Sequence, residues 1–185
     1  PALVSILPTV TGNGVVMLDC GANVTAGEES MLQFAKMGII YAKDILRKDK
    51  IKVGLLNIGT ENKKGSPDLK EAYETLERDL PEFVGNVEAR DILSGDFDVI
   101  VANGLMGNVA LKATEGTAKI LKNALSAEFK KNVFNKIASA TSIGIIKKAL
   151  LKYDYTKYGG AVLLGVKKPV IKIHGNAKQK NYEVA

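Results

Sequence analysis

Tryptophan is absent from this 185-residue chain, and cysteine and histidine occur once each, as Cys20 and His174. A lone cysteine rules out an internal disulfide, and one cysteine with one histidine cannot build a Cys/His zinc cage. A reducing, intracellular setting is the expectation. No window holds the roughly 18 consecutive apolar residues that a helical membrane span requires, and the N-terminus lacks the charged-then-apolar order of a secretion signal. Arginine is scarce as well: Arg47, Arg78 and Arg90 are the whole supply. With no tryptophan beside them, they argue against base-reading of nucleic acid.

What is present supports one substantial core, since 46% of the residues are hydrophobic, enough for a single domain or a large part of one. No internal repeat or low-complexity segment occurs. The net charge of +6 is concentrated: residues 119–152 hold eight lysines against the single acid Glu128, which leaves the rest of the chain near neutral. Such a stretch is either a solvated helix face or the contact for an acidic partner.

The apolar runs Val15–Leu18, Val53–Asn57 and Asp98–Ala102 are continuous rather than alternating, the pattern of parallel strands buried on both faces. Two closing strands are expected at Ala161–Gly165 and Val170–His174, and a strand-like pattern begins almost at Pro1. Between them, Leu32, Ala35, Ile39, Ala42 and Leu46 recur at three and four residues and predict an amphipathic helix over Ser30–Arg47. Ser66-Pro67-Asp68 supplies an N-cap, a proline at the first helical position and an acid in the first turn of a second helix. A third carries Leu111, Ala118, Leu121 and Leu125 on one side. The helical pattern resumes over Glu128–Leu151, broken at Thr141–Gly144, so 119–152 is expected to form a basic helical hairpin with an apolar, lysine-flanked tip at 143–148. Strand–loop–helix units in series predict an α/β fold, a mainly parallel sheet with helices on both faces and this hairpin protruding.

Two runs stand out, Gly85-Asn86-Val87-Glu88-Ala89-Arg90-Asp91 and Asn103-Gly104-Leu105-Met106-Gly107-Asn108-Val109-Ala110-Leu111-Lys112. Both place glycines, amides and charges where a strand is expected to end and a helix to begin. That is where open α/β sheets bind ligands, because unpaired N–H groups and the positive helix end face one crevice. An anion is the expected guest. No Gly-x-Gly-x-x-Gly run follows a strand, which disfavours a dinucleotide-dependent dehydrogenase.

Together with Leu18-Asp19-Cys20-Gly21-Ala22-Asn23, Gly54-Leu55-Leu56-Asn57-Ile58-Gly59, Lys64-Gly65, Tyr158-Gly159-Gly160-Ala161 and His174-Gly175, these runs resemble, in order along nearly the whole chain, the bacterial phosphate acyltransferases of phospholipid synthesis. That resemblance implies formation of acyl-phosphate from acyl–acyl carrier protein and inorganic phosphate. It also implies an architecture like that of phosphotransacetylase and isocitrate or isopropylmalate dehydrogenase. The family is longer at the N-terminus, so residues 1–185 are expected to be a single portion of its α/β catalytic domain. Asn103 stands where the family usually has Asp, Met106 where it has Thr, and Asn176-Ala177 where it has small hydroxyl residues.

Phosphate is itself a nucleophile, so the chemistry asks only for donors and cations that hold two anions together in a dry crevice. Lys64, on a glycine-containing loop, is the first candidate for phosphate or oxyanion contact, or else, without the resemblance, an exposed loop lysine. Asn86 and Asn108, each after a glycine in an expected loop, are candidate amide donors, or else turn and capping residues. Gly104 and Gly107 would bring backbone N–H groups to the anion. Asp19, Glu88 and Asp91 could accept a proton or order the donors, and Arg90 could pair phosphate or simply Asp91. His174 is read as a phosphate or pantetheine contact or as a hydrogen-bonded strand end. Asn23, Asn57, Gly65, Asn103 and Lys112 complete the substrate-binding candidates by the resemblance. No metal and no cofactor is implied.

The expected partners are acyl carrier protein at the lysine-rich segment, a second copy of the chain, and anionic lipid at 143–148. The expected location is cytoplasmic, with that peripheral contact on the inner face of the cell membrane. Two other readings are a short-chain phosphate acetyl- or butyryltransferase using coenzyme A, and a non-catalytic module that binds carrier protein or membrane.

Overall fold

A computed structural model of the chain describes residues 1–132, 134, 135, 144 and 160–172. Within them seven strands form one sheet: β1 (Ala2–Pro8), β2 (Gly14–Leu18), β3 (Val53–Asn57), β4 (Phe83–Glu88), β5 (Val99–Val101), β6 (Ala161–Leu164) and β7 (Val170–Lys172). Their spatial order is β4-β3-β5-β2-β1-β6-β7. β4, β3, β5 and β2 are mutually parallel, while β1 runs antiparallel to both β2 and β6, and β7 antiparallel to β6. Five of the seven strands therefore point one way. The α/β architecture and the predominantly parallel sheet agree with expectation.

Burial follows the two-residue period of a strand. In β2, Val16 and Leu18 face one core, with Met31, Phe34 and Ala35 of helix α1 (Glu28–Leu46) and Leu69, Ala72 and Leu76 of helix α2 (Pro67–Asp79). Val15 and Met17 face the other, with Ile92 and with Ala110 and Leu111 of helix α3 (Gly104–Lys130). Helices thus cover both faces, and β2, β3 and β5 are buried along their whole length. The sheet thins toward β7, all three residues of which are exposed.

Two local expectations differ. Gly85–Glu88 is part of β4 rather than a loop, and only Ala89–Asp91 forms a turn of 3-10 helix. The run after Asn103 is helical from Gly104 on, so Asn108 sits in the second turn of α3 and not in a loop. α3 has 27 residues, about 40 Å at 1.5 Å per residue, yet its buried positions end at Leu111. The apolar stripe expected beyond it emerges from the body, with Ile120 71% and Leu121 57% exposed. α3 is continuous through Lys130. The turn and second arm of the hairpin expected at 119–152 lie outside the described residues, Gly144 apart, as does most of the 143–148 tip.

Candidate active site

Four parallel strands deliver their C-terminal ends to one edge: Asp19 follows β2, Asn57 and Glu88 end β3 and β4, and Asn103 follows β5. Adjacent strands lie about 4.8 Å apart, so Asp19 and Asn57 are separated across β5 by about 10 Å. Two polar clusters occupy this edge, one on each side of that gap.

The first is built on Asp19, a fully buried carboxylate. Its Oδ1 accepts from the backbone N–H groups of Leu3 (2.9 Å), Gly21 (3.1 Å) and Ala22 (2.9 Å), and its Oδ2 from the backbone and side-chain nitrogens of Asn23 (2.7 and 2.8 Å). Five donors leave the carboxylate committed to shaping residues 19–23. Asn23 is likewise held, its Nδ2 also donating to the Pro1 carbonyl at 2.8 Å.

α3 begins against this loop. The Asn103 side chain caps it, Oδ1 accepting from Met106 N at 2.8 Å, as expected of an Asn N-cap. The first-turn donors left over, at Gly104 and Leu105, have no partner among the described residues, the usual state of a helix N-terminus. Gly104 and Gly107 also serve a purpose not foreseen from the sequence. A Cβ on Gly104 would lie 1.9 Å from the Asn23 carbonyl oxygen, and one on Gly107 1.9 Å from that of Asp19, so these glycines let helix and loop backbones touch. Asn108, one residue further and exposed, overhangs Gly21, where an ideal Cβ would be 3.4 Å from its Cβ and Cγ. Its amide is not engaged by the described residues.

The second cluster holds Lys64. Its side chain is half exposed, with Nζ 3.7 Å from Oε1 of the well-exposed Glu61 side chain. A pair this open contributes little and is readily exchanged for another anion. Beneath it lie Asn57 and Asn86, both buried, whose side chains bond to each other and to the carbonyls of Lys64 and Glu61. Gly65 has φ +95°, a left-handed conformation suited to glycine.

The other candidates stand apart. Arg90, 76% exposed, pairs with Glu88 at 2.5 Å and Asp91 at 3.6 Å, so its charge is met within its own segment. Lys112 pairs with Glu115 at 2.7 Å on α3. His174 lies outside the described residues. Cys20, beside Asp19, is inert: burial first, and then the Asp19 carboxylate, push its thiol up to about 12. Sequence reasoning missed Glu61 and Gly21. The three-residue spacing of Glu61 and Lys64 could have flagged the former. Among the described residues no group of three or more His, Cys, Asp or Glu is placed to hold a metal, and no helix is long and apolar enough to cross a membrane.

A family model described as "Fatty acid synthesis protein" matches residues 1–185. The chain belongs to this family. Within it, the chain is 46% identical over 180 residues to the phosphate acyltransferase of Caldanaerobacter subterraneus subsp. tengcongensis, covering 97% of this chain and 54% of that protein. The phosphate acyltransferase of Bacillus pumilus is 47% identical over 187 residues, with 97% and 54% covered, and that of Staphylococcus aureus 46% over 187, with 98% and 56% covered. The chain thus spans about half the length of the curated relatives it matches. Among solved structures, a phosphotransacetylase from Streptococcus pyogenes superposes with a TM-score of 0.55 at 16% identity, over 99% of this chain and 51% of that one. At that identity the likeness is one of fold alone.

Proposed function

We propose that the intact protein forms acyl-phosphate from acyl–acyl carrier protein and inorganic phosphate, in fatty acid and phospholipid synthesis. The observation that carries this reading is the match of 97% of the chain, at 46% identity, to a protein named phosphate acyltransferase. It favours this reading over short-chain acetyl or butyryl transfer and over a non-catalytic module. Residues 1–185 are proposed as one portion of the α/β catalytic domain.

A phosphate oxygen attacks the thioester carbonyl carbon, the new C–O bond forms, the C–S bond breaks, and the departing thiolate takes up the proton released by hydrogen phosphate. Lys64 Nζ holds phosphate in place of its loose pair with Glu61. Asn108 Nδ2 and the open N–H groups at the start of α3 receive the oxyanion. Neither role needs an enzyme nucleophile. Lys64→Ala in the intact protein is expected to lower phosphate-dependent thiol release from palmitoyl–acyl carrier protein at least a hundredfold. Undiminished release would remove Lys64 from the site.

The lysines of 119–152 suit an acidic carrier protein. The exposed Ile120 and Leu121 of α3 support pairing of two copies along that helix, giving a cytoplasmic homodimer. Lipid contact through 143–148 rests on Ile143, Ile145 and Ile146 beside Lys147 and Lys148. Polar replacements at Ile145 and Ile146 should abolish binding to anionic vesicles without loss of activity in solution, and retained binding would sink the lipid contact.

A further inference from the structure

We infer that Asn57 and Asn86 act as one positioning device for Lys64 and are not themselves substrate ligands, an inference that rests on the proposed role of Lys64. The register pairs Asn57 with Glu88 and Leu55 with Asn86, which sets the two asparagines diagonally across the β3–β4 ladder. They are 3% and 6% exposed. Asn57 Nδ2 donates to Asn86 Oδ1 at 3.2 Å and to the Lys64 carbonyl at 3.0 Å, while its Oδ1 accepts from Ile58 N at 2.8 Å. Asn86 Nδ2 donates to the Glu61 carbonyl at 2.8 Å.

The turn that carries the lysine is closed by Lys64 N donating to the Glu61 carbonyl at 3.1 Å. The amide pair therefore grips both ends of that turn from two hydrogen-bonded strands, β3 and β4. Both donors of Asn57 are consumed, so it has none to offer a ligand, and Asn86 keeps a single N–H. Two buried amides are costly unless fully bonded, and an apolar pair would fill the same space more cheaply. What the amides add is a location for residues 58–65. Gly65 fits the same device: a Cβ there would lie 2.5 Å from Asn57 Oδ1, so only glycine lets the loop settle onto the amide.

The test is Asn86→Asp in the intact protein. The substitution keeps the shape and sets an oxygen against the Glu61 carbonyl. Expected are a tenfold or larger fall in kcat/KM, mostly through KM for phosphate, and faster amide hydrogen exchange confined to 58–65. Gly65→Ala, which displaces the loop from the other side, is expected to reproduce both effects should Asn86→Asp fold poorly. Combined with Lys64→Ala, either substitution should change the remaining kcat/KM less than twofold, since its effect passes through the lysine. Fully multiplicative losses, or unchanged exchange in 58–65, would overturn the inference while leaving the lysine's role intact. Full activity of Lys64→Ala alone would overturn both.

Discussion

Gly107→Ala is the substitution on which the geometry of the site makes its largest demand. The added methyl would sit 1.9 Å from the Asp19 carbonyl oxygen and must retreat by about 1.1 Å to reach the 3.0 Å below which such contacts essentially do not occur. The obstacle is backbone on both sides, so relief comes from moving α3 as a body, with the Asn103 cap and Asn108 carried along. Misplacing catalytic groups by about 1 Å costs on the order of a hundredfold in rate. Stability is affected much less. Overpacking costs about 1–3 kcal/mol, and replacing a helical glycine by alanine returns about 1 kcal/mol. The net loss of at most about 2 kcal/mol lowers Tm by less than about 8 °C in a protein of this size. The assay is kcat/KM for phosphate-dependent thiol release beside a thermal melt of the same sample. Gly116→Ala is the control, for it lies on the same helix with nothing within 4 Å of its added carbon. It should keep full activity and gain a little stability. A Gly107→Ala protein within threefold of full activity would refute the claim that the contact of α3 with residues 19–23 sets the site.

Asn103→Ala removes the cap of α3 and should cost about 0.5–2 kcal/mol in urea unfolding, with Asn103→Asp largely sparing it; equal losses in both would argue against capping. Cys20 should resist thiol reagents at pH 8–9 until the protein unfolds. Because its folded value of about 12 exceeds the ordinary 9.0, the stability linked to it is complete below pH 9 and is lost as pH rises toward 12. Rapid labelling of the folded protein would contradict its burial. Charged replacements at Ile120 and Leu121 should lower the mass measured by sedimentation equilibrium from two copies to one, and an unaltered mass would place the pairing surface elsewhere.

Much of the fold is legible in the sequence because its central strands are buried on both faces and so read as unbroken apolar runs. β4 is the instructive exception. Its Gly85 and Asn86 carry the signature of a turn, and nothing local reveals that a second asparagine, 29 positions earlier, satisfies the amide inside the sheet. Gly104 and Gly107 are half legible in the same way. Their spacing marks a strand-to-helix junction, but that the close approach of residues 19–23 requires glycine at both is visible only in the fold. Of the site candidates, the structure brings Asp19, Asn23, Asn103, Gly104, Gly107 and Asn108 into one cluster and Asn57, Lys64, Gly65 and Asn86 into another. It leaves Arg90 with its neighbours Glu88 and Asp91, a pairing that sequence adjacency alone left open. Long-range amide bonds and backbone contacts carry no periodic signal, and that is why the division of the site into two clusters had to come from the fold.

In the proposed reaction phosphate, and not water or coenzyme A, receives the acyl group. The direct measurement is mass-spectrometric quantitation of the palmitoyl-phosphate formed by the intact protein from palmitoyl–acyl carrier protein, beside the thiol released. Palmitoyl-phosphate should equal the thiol in amount and depend strictly on inorganic phosphate. Thiol release that persists without phosphate, or acyl-phosphate seen only with a short-chain coenzyme A donor, would contradict the proposal.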